Sequence, residues 1–311
     1  MIRKSVFSTF LFLLLANFNL LAQEGKDSTD EKWDNDKWYD WDNYEWFGWE
    51  FHGKPFIELN YGFGTPRLDK LVSKFTDVGV AEIKLGYATQ DSYYSENIIE
   101  FHDKYSFVSK ISSDLRSAST TIGEMKSELW RFGFANRSGY GYKLNDISIL
   151  PYRSSGFVWS KLDMIDYPAK IYLLTYPPMS IDQATEDTRA LNRFHDAFRF
   201  GTLVEGGVRI EFASFASIDV GYEAAVIFPR HLFWKHLGSL IIEESAVGVL
   251  NHFIDEVADS SPYAAPVVNF LLKNGLSYAF YSLKKGNMNW PFATEAPLTY
   301  ETFKVGLTFT F

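Results

Sequence analysis

Apolar and polar residues alternate strictly along the C-terminal segment of the chain. Residues 301–311 read ETFKVGLTFTF, in which Phe303, Val305, Leu307, Phe309 and Phe311 share one parity. A period of two predicts a β-strand with one apolar and one polar face. Because the chain stops on the apolar face, we interpret this segment as a membrane-spanning β-strand of about ten residues.

The same alternation recurs upstream, with bulky apolar residues on one face and glycine or charged residues on the other. The segments that show it are residues 55–64, 80–89, 127–136, 205–213 and 217–226. Weaker strands are predicted at residues 98–108, 141–150, 156–163 and 276–283, and a tight turn at residues 137–139. Together they predict an all-β fold, an antiparallel transmembrane β-barrel of about 10 strands, within a range of roughly 8–12.

Two segments break the alternation. Residues 180–193 are polar with helical propensity, and Ser180 is in position to cap a helix. Between residues 230 and 274, apolar residues recur mostly at spacings of three and four. This spacing predicts an amphipathic helical insert near residues 231–273, with a second, shorter helix at residues 266–272.

The main helix of the insert is predicted at residues 232–258. We expect it to pack an apolar stripe against the barrel or the membrane surface. The stripe consists of Phe233, Leu237, Leu240, Val247, Leu250 and Phe253. Glu243 and Glu244 argue against a bilayer span by this helix. Counting predicted strands back from a periplasmic C-terminus places the insert on the periplasmic side.

The N-terminal residues have the composition of a secretory signal peptide. Arg3 and Lys4 precede an apolar core at residues 6–16, and Ala22 offers a cleavage position. Gln23, rather than cysteine, at the next position argues against a lipid anchor. The sequence therefore predicts a signal peptide at residues 1–22 and export of the remaining chain.

An exported chain whose last strand alternates aromatic residues and ends on Phe311 resembles the outer-membrane β-barrel proteins of Gram-negative bacteria. The resemblance implies location in the cell outer membrane and contact with outer-membrane lipid. It also implies that Phe303, Phe309 and Phe311 belong to the signal that the barrel-assembly machinery recognises. The expected barrel domain is residues 55–311, including the helical insert.

Residues 23–54 are predicted to form a flexible arm that contains a tandem repeat of eight residues. WDNDKWYD at residues 33–40 is followed by WDNYEWFG at residues 41–48. Three interpretations stay open: a linker at the membrane interface, where indoles prefer to lie, a glycan-binding arm, or an acidic calcium site, which lacks a correctly spaced turn glycine. The tryptophans of the arm are Trp33, Trp38, Trp41, Trp46 and Trp49.

The amino-acid composition argues against several classes of partner and of chemistry. The formal net charge of −9 disfavours nucleic acid as a partner. The absence of cysteine excludes disulfides, thiolate catalysis and cysteine-ligated metals. Aromatic residues make up 18% of the chain, which fits the aromatic girdles of a membrane barrel. No cofactor is predicted, because the sequence contains neither a P-loop nor a dinucleotide-binding motif.

The polar faces of the predicted strands carry charged residues of both signs. They are Glu58, Lys84, Arg131, Arg209, Glu211, Asp219, Glu223 and Lys304. In a barrel of about eight to ten strands, side chains nearly fill the interior. We therefore interpret these residues as an internal salt-bridge network that plugs the barrel, since buried charges must be paired or hydrated. The alternative is a narrow polar path lined by both signs.

The sequence also predicts a register for the hairpin formed by residues 205–213 and 217–226. If residues 215–217 form the loop, Arg209 lies opposite Glu223. Both side chains then face the barrel interior and form a direct cross-strand ion pair.

These features favour a non-enzymatic outer-membrane barrel with a structural or interaction role, or a narrow transport pore. The arm or the insert would contact a periplasmic protein or the cell wall. The alternative is a membrane-embedded hydrolase that acts on lipid or lipopolysaccharide, although the sequence contains no GxSxG motif. Glu244, His252 and Glu256 share a predicted helix face, but such pairs are common on helix surfaces, and no metal site is predicted.

Overall fold

The fold is described from a computed structural model, in which residues 53–93, 95–116, 123–166, 168–171, 173–174 and 178–311 are described. The predicted signal peptide, the eight-residue repeat and all five tryptophans of the arm lie outside the described residues.

Antiparallel strands form a closed barrel in which each strand pairs with the next and the last pairs with the first. The strands are β1 (Lys54–Leu68), β2 (Val78–Tyr93), β3 (Ser95–Ser112), β4 (Ser127–Leu144), β5 (Ile147–Met164), β6 (Phe198–Ala213), β7 (Ala216–Ile227) and β8 (Leu298–Thr310). The barrel therefore has eight strands, and the expected value of about 10 was too high.

Two of the weaker strand predictions and the predicted turn account for the wrong strand count. Residues 276–283 are helical, and residues 141–150 include the end of β4, a turn at Asn145 and Asp146, and the start of β5. Asn145 has a φ of 55°, a left-handed conformation that asparagine tolerates in turns. Residues 137–139 are not a turn, because β4 continues through them to Leu144.

Helices occur only in the connections between strands of the described chain. They are α1 (Pro168–Ile171), α2 (Ile181–Leu191), α3 (Phe233–Ser260) and α4 (Ala265–Lys284). The predicted helix at residues 180–193 is confirmed as α2, whose N-terminus is capped by Ser180 in a capping box with Gln183. The helical insert between β7 and β8 is longer than predicted, since α4 continues eleven residues beyond residue 273.

The two ends of the barrel differ in the length of their connections. The turns after β2, β4 and β6 are short and lie at the end that also holds the start of β1 and the end of β8. We call this the short-turn end, and the opposite end, with all the longer connections, the long-loop end. The helical insert leaves from the long-loop end, opposite the C-terminus. Its predicted placement on the side of the C-terminus was wrong, because only one strand follows the insert rather than two.

The helices α3 and α4 form an antiparallel hairpin on the outer wall of the barrel. Arg153 lies between the inward-facing Tyr152 and Ser154, so its side chain points outward, and its Nε donates to Ser277 Oγ of α4 at 2.6 Å. The Asn274 side chain of α4 donates to the Tyr152 carbonyl at 3.1 Å. The helix α4 therefore packs directly on the outside of β5.

The helix predicted at residues 232–258 is confirmed, but its packed face differs from the predicted stripe. The buried residues of α3 are Ser239, Glu243, Val247, Ile254 and Ala258. Of the predicted stripe, Val247 is buried, whereas Phe233 and Phe253 are exposed. The packed face of α3 thus combines small and polar residues with Val247 and Ile254, while other large apolar side chains face outward, because apolar positions surround most of this helix.

Side chains fill the barrel interior in three layers. At the long-loop end an apolar layer includes Val80, Ile111, Leu129, Val158 and Leu203, together with Leu191 from α2. A second apolar layer lies toward the short-turn end and consists of Ile99, Phe101, Leu150 and Tyr152. The charged residues of the inward-facing positions lie between these layers.

Candidate functional site: a buried charge network

Most of the charged residues predicted to face the interior lie in the middle layer of the barrel. Glu58, Lys84, Arg131, Arg209, Asp219, Glu223 and Lys304 are each at most 2% exposed. Glu211 is the exception. It lies near the short-turn end, is partly exposed, and accepts a hydrogen bond from Gln90 at 2.6 Å.

The network contains four further residues that were not among the predicted site residues: Glu82, Asp103, Arg137 and Glu205. Two of them carried a usable signal, because Glu82 has the parity of Lys84, and Glu205 has the parity of Arg209. Arg137 was assigned to a turn, which concealed its inward position in β4.

One part of the network, which we call the arginine cluster, consists of Arg137, Arg209, Glu58, Asp103 and Asp219. Arg137 donates to both carboxylate oxygens of Glu58, at 2.9 and 3.1 Å. Arg209 donates to Asp219 Oδ1 at 2.9 Å and to Asp103 Oδ2 at 3.0 Å. Such charge-assisted, partly bidentate bonds fix the positions of the guanidinium groups as well as neutralising them.

The second part, the lysine cluster, consists of Lys304, Glu82, Glu205, Glu223 and Arg131. The Nζ atom of Lys304 lies 2.8 Å from Glu82, 2.6 Å from Glu205 and 2.7 Å from Glu223. Arg131 bridges two of the same carboxylates, with Glu82 at 3.1 Å and a shorter contact to Glu223.

Lys84 joins the two clusters into one network. Its Nζ atom lies 2.9 Å from Glu58 of the arginine cluster and 3.3 Å from Glu205 of the lysine cluster. The Tyr152 hydroxyl donates to Glu205 at 2.7 Å, and the Arg137 guanidinium lies 4.5 Å from the centre of the Tyr152 ring. Among the described residues the network joins six carboxylates to five cations, so nearly every buried charge is balanced.

The predicted hairpin register is partly wrong. Arg209 points into the interior as expected, but β6 and β7 pair it with Asp219 rather than Glu223. The strands meet in a tighter turn at Ser214 and Phe215, with an irregularity between Glu211 and Ala213. The predicted inward orientation of Arg209 was still correct, because a change of register by an even number of residues leaves every side chain on the same face of its strand.

Three carboxylates of the lysine cluster have the spacing of a metal site. Oxygens of Glu82, Glu205 and Glu223 lie within 4.8 Å of one another. The ammonium group of Lys304 occupies the position between them, so the native arrangement does not fit a metal ion. Away from the barrel interior, His252 lies 3.6 Å from Glu256, and both side chains are largely exposed, as in an ordinary helix-surface pair.

The outside of the barrel has the opposite character. Large apolar side chains are exposed on the outward faces of most strands, as on a barrel surrounded by hydrocarbon. They include Ile57, Leu59, Tyr61, Phe63, Ile83, Leu85, Val108, Trp130, Phe132, Phe134, Val305, Leu307 and Phe309. We call this surface the apolar belt.

Fold and interior together define a closed, eight-stranded antiparallel β-barrel with an ionic core and an apolar exterior. No family model matches the sequence, and no curated protein matches it significantly. Among solved structures it is similar to Neisserial surface protein A, with 9% identity over 84% of this chain and 100% of that one, at a TM-score of 0.36. It is also similar to Ail, the attachment invasion locus protein of Yersinia pestis, with 8% identity over 84% of this chain and 99% of that one, at a TM-score of 0.32. The fold assignment rests on the strand pairing of the chain itself.

Proposed function

We propose that the protein is a closed, non-enzymatic β-barrel of the outer membrane with a structural or interaction role. The observation that carries the proposal is the contrast between its two surfaces. An apolar belt suits lipid, and an interior of buried, paired charges between apolar layers supports a barrel that is closed to solutes. Among the described residues, this filling favours a plugged barrel over the narrow transport pore.

The strand connections support an orientation for the barrel. Outer-membrane barrels have short turns on the periplasmic side and longer loops outside the cell. By that rule the short-turn end, which holds the start of β1 and the end of β8, is periplasmic. The arm precedes β1 in the chain and joins it at this end. We propose a periplasmic protein or the cell wall as the partner of the arm.

Assembly would follow the route that the terminal strand implies. We propose that the chain is exported through a cleaved signal peptide and that the barrel-assembly machinery recognises Phe303, Phe309 and Phe311. All three side chains lie outward and are at least 38% exposed, so they are accessible as a recognition surface and are not needed to fill the interior.

The proposed location is tested by separating the membranes of cells that express the full chain. Recovery in the outer-membrane fraction, with gel migration that changes on boiling, is the expected result. Migration unaffected by boiling, together with recovery from the soluble periplasm, would contradict the proposal. Incubation of the purified barrel with phospholipid and lipopolysaccharide tests the hydrolase alternative, and no release of fatty acid is expected.

A further inference from the structure

We propose that α3 and α4 form a helical hairpin that lies within the bilayer beside the barrel, so that lipid acyl chains contact its outward face. The inference rests on the proposed membrane location and extends it, because membrane barrels of this class are expected to meet lipid with strands. Three features of the hairpin support it: its length, the distribution of its apolar residues, and the pairing of its polar groups.

The hairpin extends from one end of the barrel wall to the other. The ring of His236, near the start of α3, lies 5.0 Å from that of Phe228, which directly follows β7 at the long-loop end. At the opposite end the Tyr142 hydroxyl, near the end of β4, donates to the carbonyl of Tyr263 in the turn between the helices. A helix of 20 residues such as α4 is about 30 Å long, which matches the hydrocarbon thickness of a bilayer.

The outward face of the hairpin continues the apolar belt of the barrel. Ile241 and Val249 of α3 are 56% and 58% exposed, and Leu271 of α4 is 60% exposed. By length and composition α3 is also apolar enough to cross a membrane. At its beginning Trp234 is exposed, and aromatic residues of this kind favour the membrane interface.

The two acidic residues in the middle of α3 lie toward the protein rather than on the outward face. Glu243 of α3 forms a buried ion pair with Lys284 of α4. Glu244 is half-buried and interacts electrostatically with Arg153 of the barrel wall. The predicted objection that Glu243 and Glu244 prevent a bilayer position therefore does not hold, since Glu243 is paired within the hairpin and Glu244 is half-buried against the protein.

Arg153 gives an independent reason for the hairpin to remain on the wall. An arginine on the lipid face of a barrel is strongly unfavourable near the middle of the bilayer. The helix α4 covers this side chain and offers it Ser277 Oγ at 2.6 Å. The packed faces of the two helices include the small residues Ser239, Ala258 and Ser277, and small residues are what helix packing in lipid favours.

The test uses single cysteines, because the native chain contains none. Ile241→Cys, Val249→Cys and Leu271→Cys are made in the full chain, reconstituted in phospholipid vesicles, and treated with a membrane-impermeant maleimide added to both faces. Spin labels on the same positions then report access to oxygen and to a water-soluble nickel complex. We expect loss of maleimide labelling in vesicles, full labelling after denaturation, and greater access to oxygen than to nickel.

Two control positions separate this inference from the proposed membrane location. Leu307→Cys on the apolar belt should be protected from maleimide whenever the barrel is inserted, and Ser260→Cys, at the exposed last residue of α3, should react. Labelling of the hairpin positions with Leu307→Cys protected would overturn the hairpin inference alone. Labelling of Leu307→Cys as well would overturn the membrane location. Hairpin positions that neither maleimide nor oxygen reaches would also overturn the hairpin inference, since a second protein surface, not lipid, would then cover the hairpin.

Discussion

Replacing Lys304 by methionine removes the ammonium group that holds three carboxylates of the lysine cluster together. Removing one partner of a buried ion pair typically lowers the free energy of unfolding by about 3–5 kcal/mol. Each of the three carboxylates keeps at least one other cation. Glu205 keeps Lys84 at 3.3 Å, Glu82 keeps Arg131 at 3.1 Å, and Glu223 keeps a shorter contact with Arg131. We therefore expect the loss to fall near the lower limit, at about 3 kcal/mol.

The assay is denaturant unfolding of the purified barrel in detergent micelles, followed by tryptophan fluorescence. Lys110→Met is the matched control, because Lys110 pairs with Glu128 at 3.0 Å on the partly exposed outer surface. Exposed pairs of this kind contribute about 1 kcal/mol or less. Adding Glu205→Gln to the Lys304→Met chain should restore part of the lost stability, since it removes one of the uncompensated charges.

The result that would refute this reasoning is equal stability of Lys304→Met and the Lys110→Met control. Equal stability would mean that water reaches the lysine cluster and solvates its carboxylates. The interior would then be hydrated rather than sealed, and the narrow polar path would become the better interpretation.

Three further predictions concern assembly and the helical hairpin. Deleting Phe311, whose side chain is exposed, should lower the heat-modifiable fraction in the outer membrane several-fold without destabilising barrel that has already assembled; unchanged assembly in cells would contradict the recognition role. Gly206→Val should weaken the packing of α4 by about 1–3 kcal/mol, because even the first side-chain carbon would lie 2.4 Å from Asn274 Oδ1, and Asn274→Ala in the same chain should relieve the effect in unfolding measurements. Replacing Glu243 and Glu244 together by leucine should shift the protein into the inner membrane, since a central acidic residue opposes helix insertion during export by about 3 kcal/mol, and density separation of the two membranes would reveal no shift if this is wrong.

The period of two in the sequence correctly predicted the inward facing of seven charged residues that lie in the middle layer. It was not sufficient to predict where the strands end. Gly139 was assigned to the predicted turn at residues 137–139 and Gly141 to the start of a new strand, but both lie inside β4 at inward positions. A side-chain carbon at Gly141 would lie 2.3 Å from Leu150 Cδ2, so glycine is needed there for the close approach of an interior leucine. Sequence pattern alone does not distinguish a glycine of this kind from a turn glycine.

The pairing within the charge network depends on closure of the barrel and could not be read from local sequence. Arg137 binds Glu58 across the interior although 79 residues separate them, and neither lies on a strand adjacent to the other's. Which charges meet is set by the number of strands and their relative shift. The one pair predicted from local sequence, Arg209 with Glu223, was wrong because the turn between β6 and β7 is tighter than expected.

The helix at residues 232–258 was predicted correctly, but the predicted stripe, expected to pack against the barrel or the membrane surface, does not lie on one face of the structure. An apolar stripe directed toward the protein is the expectation for a helix in water. In α3, Phe233 and Phe253 instead point away from the protein, while Ser239 and Glu243 point toward it. Val247 and Ile254 are buried as well, so apolar residues lie on both sides of α3, and this distribution fits the lipid contact that we propose for the hairpin.

The most direct test of the sealed, charge-filled interior is ion conductance of the purified protein in planar lipid bilayers. Insertion is verified by flotation with vesicles of the same lipid, and an open porin serves as the positive control. The filled interior predicts no stepwise current above the background of the protein-free bilayer. Reproducible, ohmic current steps from correctly inserted protein would contradict a closed barrel and would assign the charged residues to a conducting path.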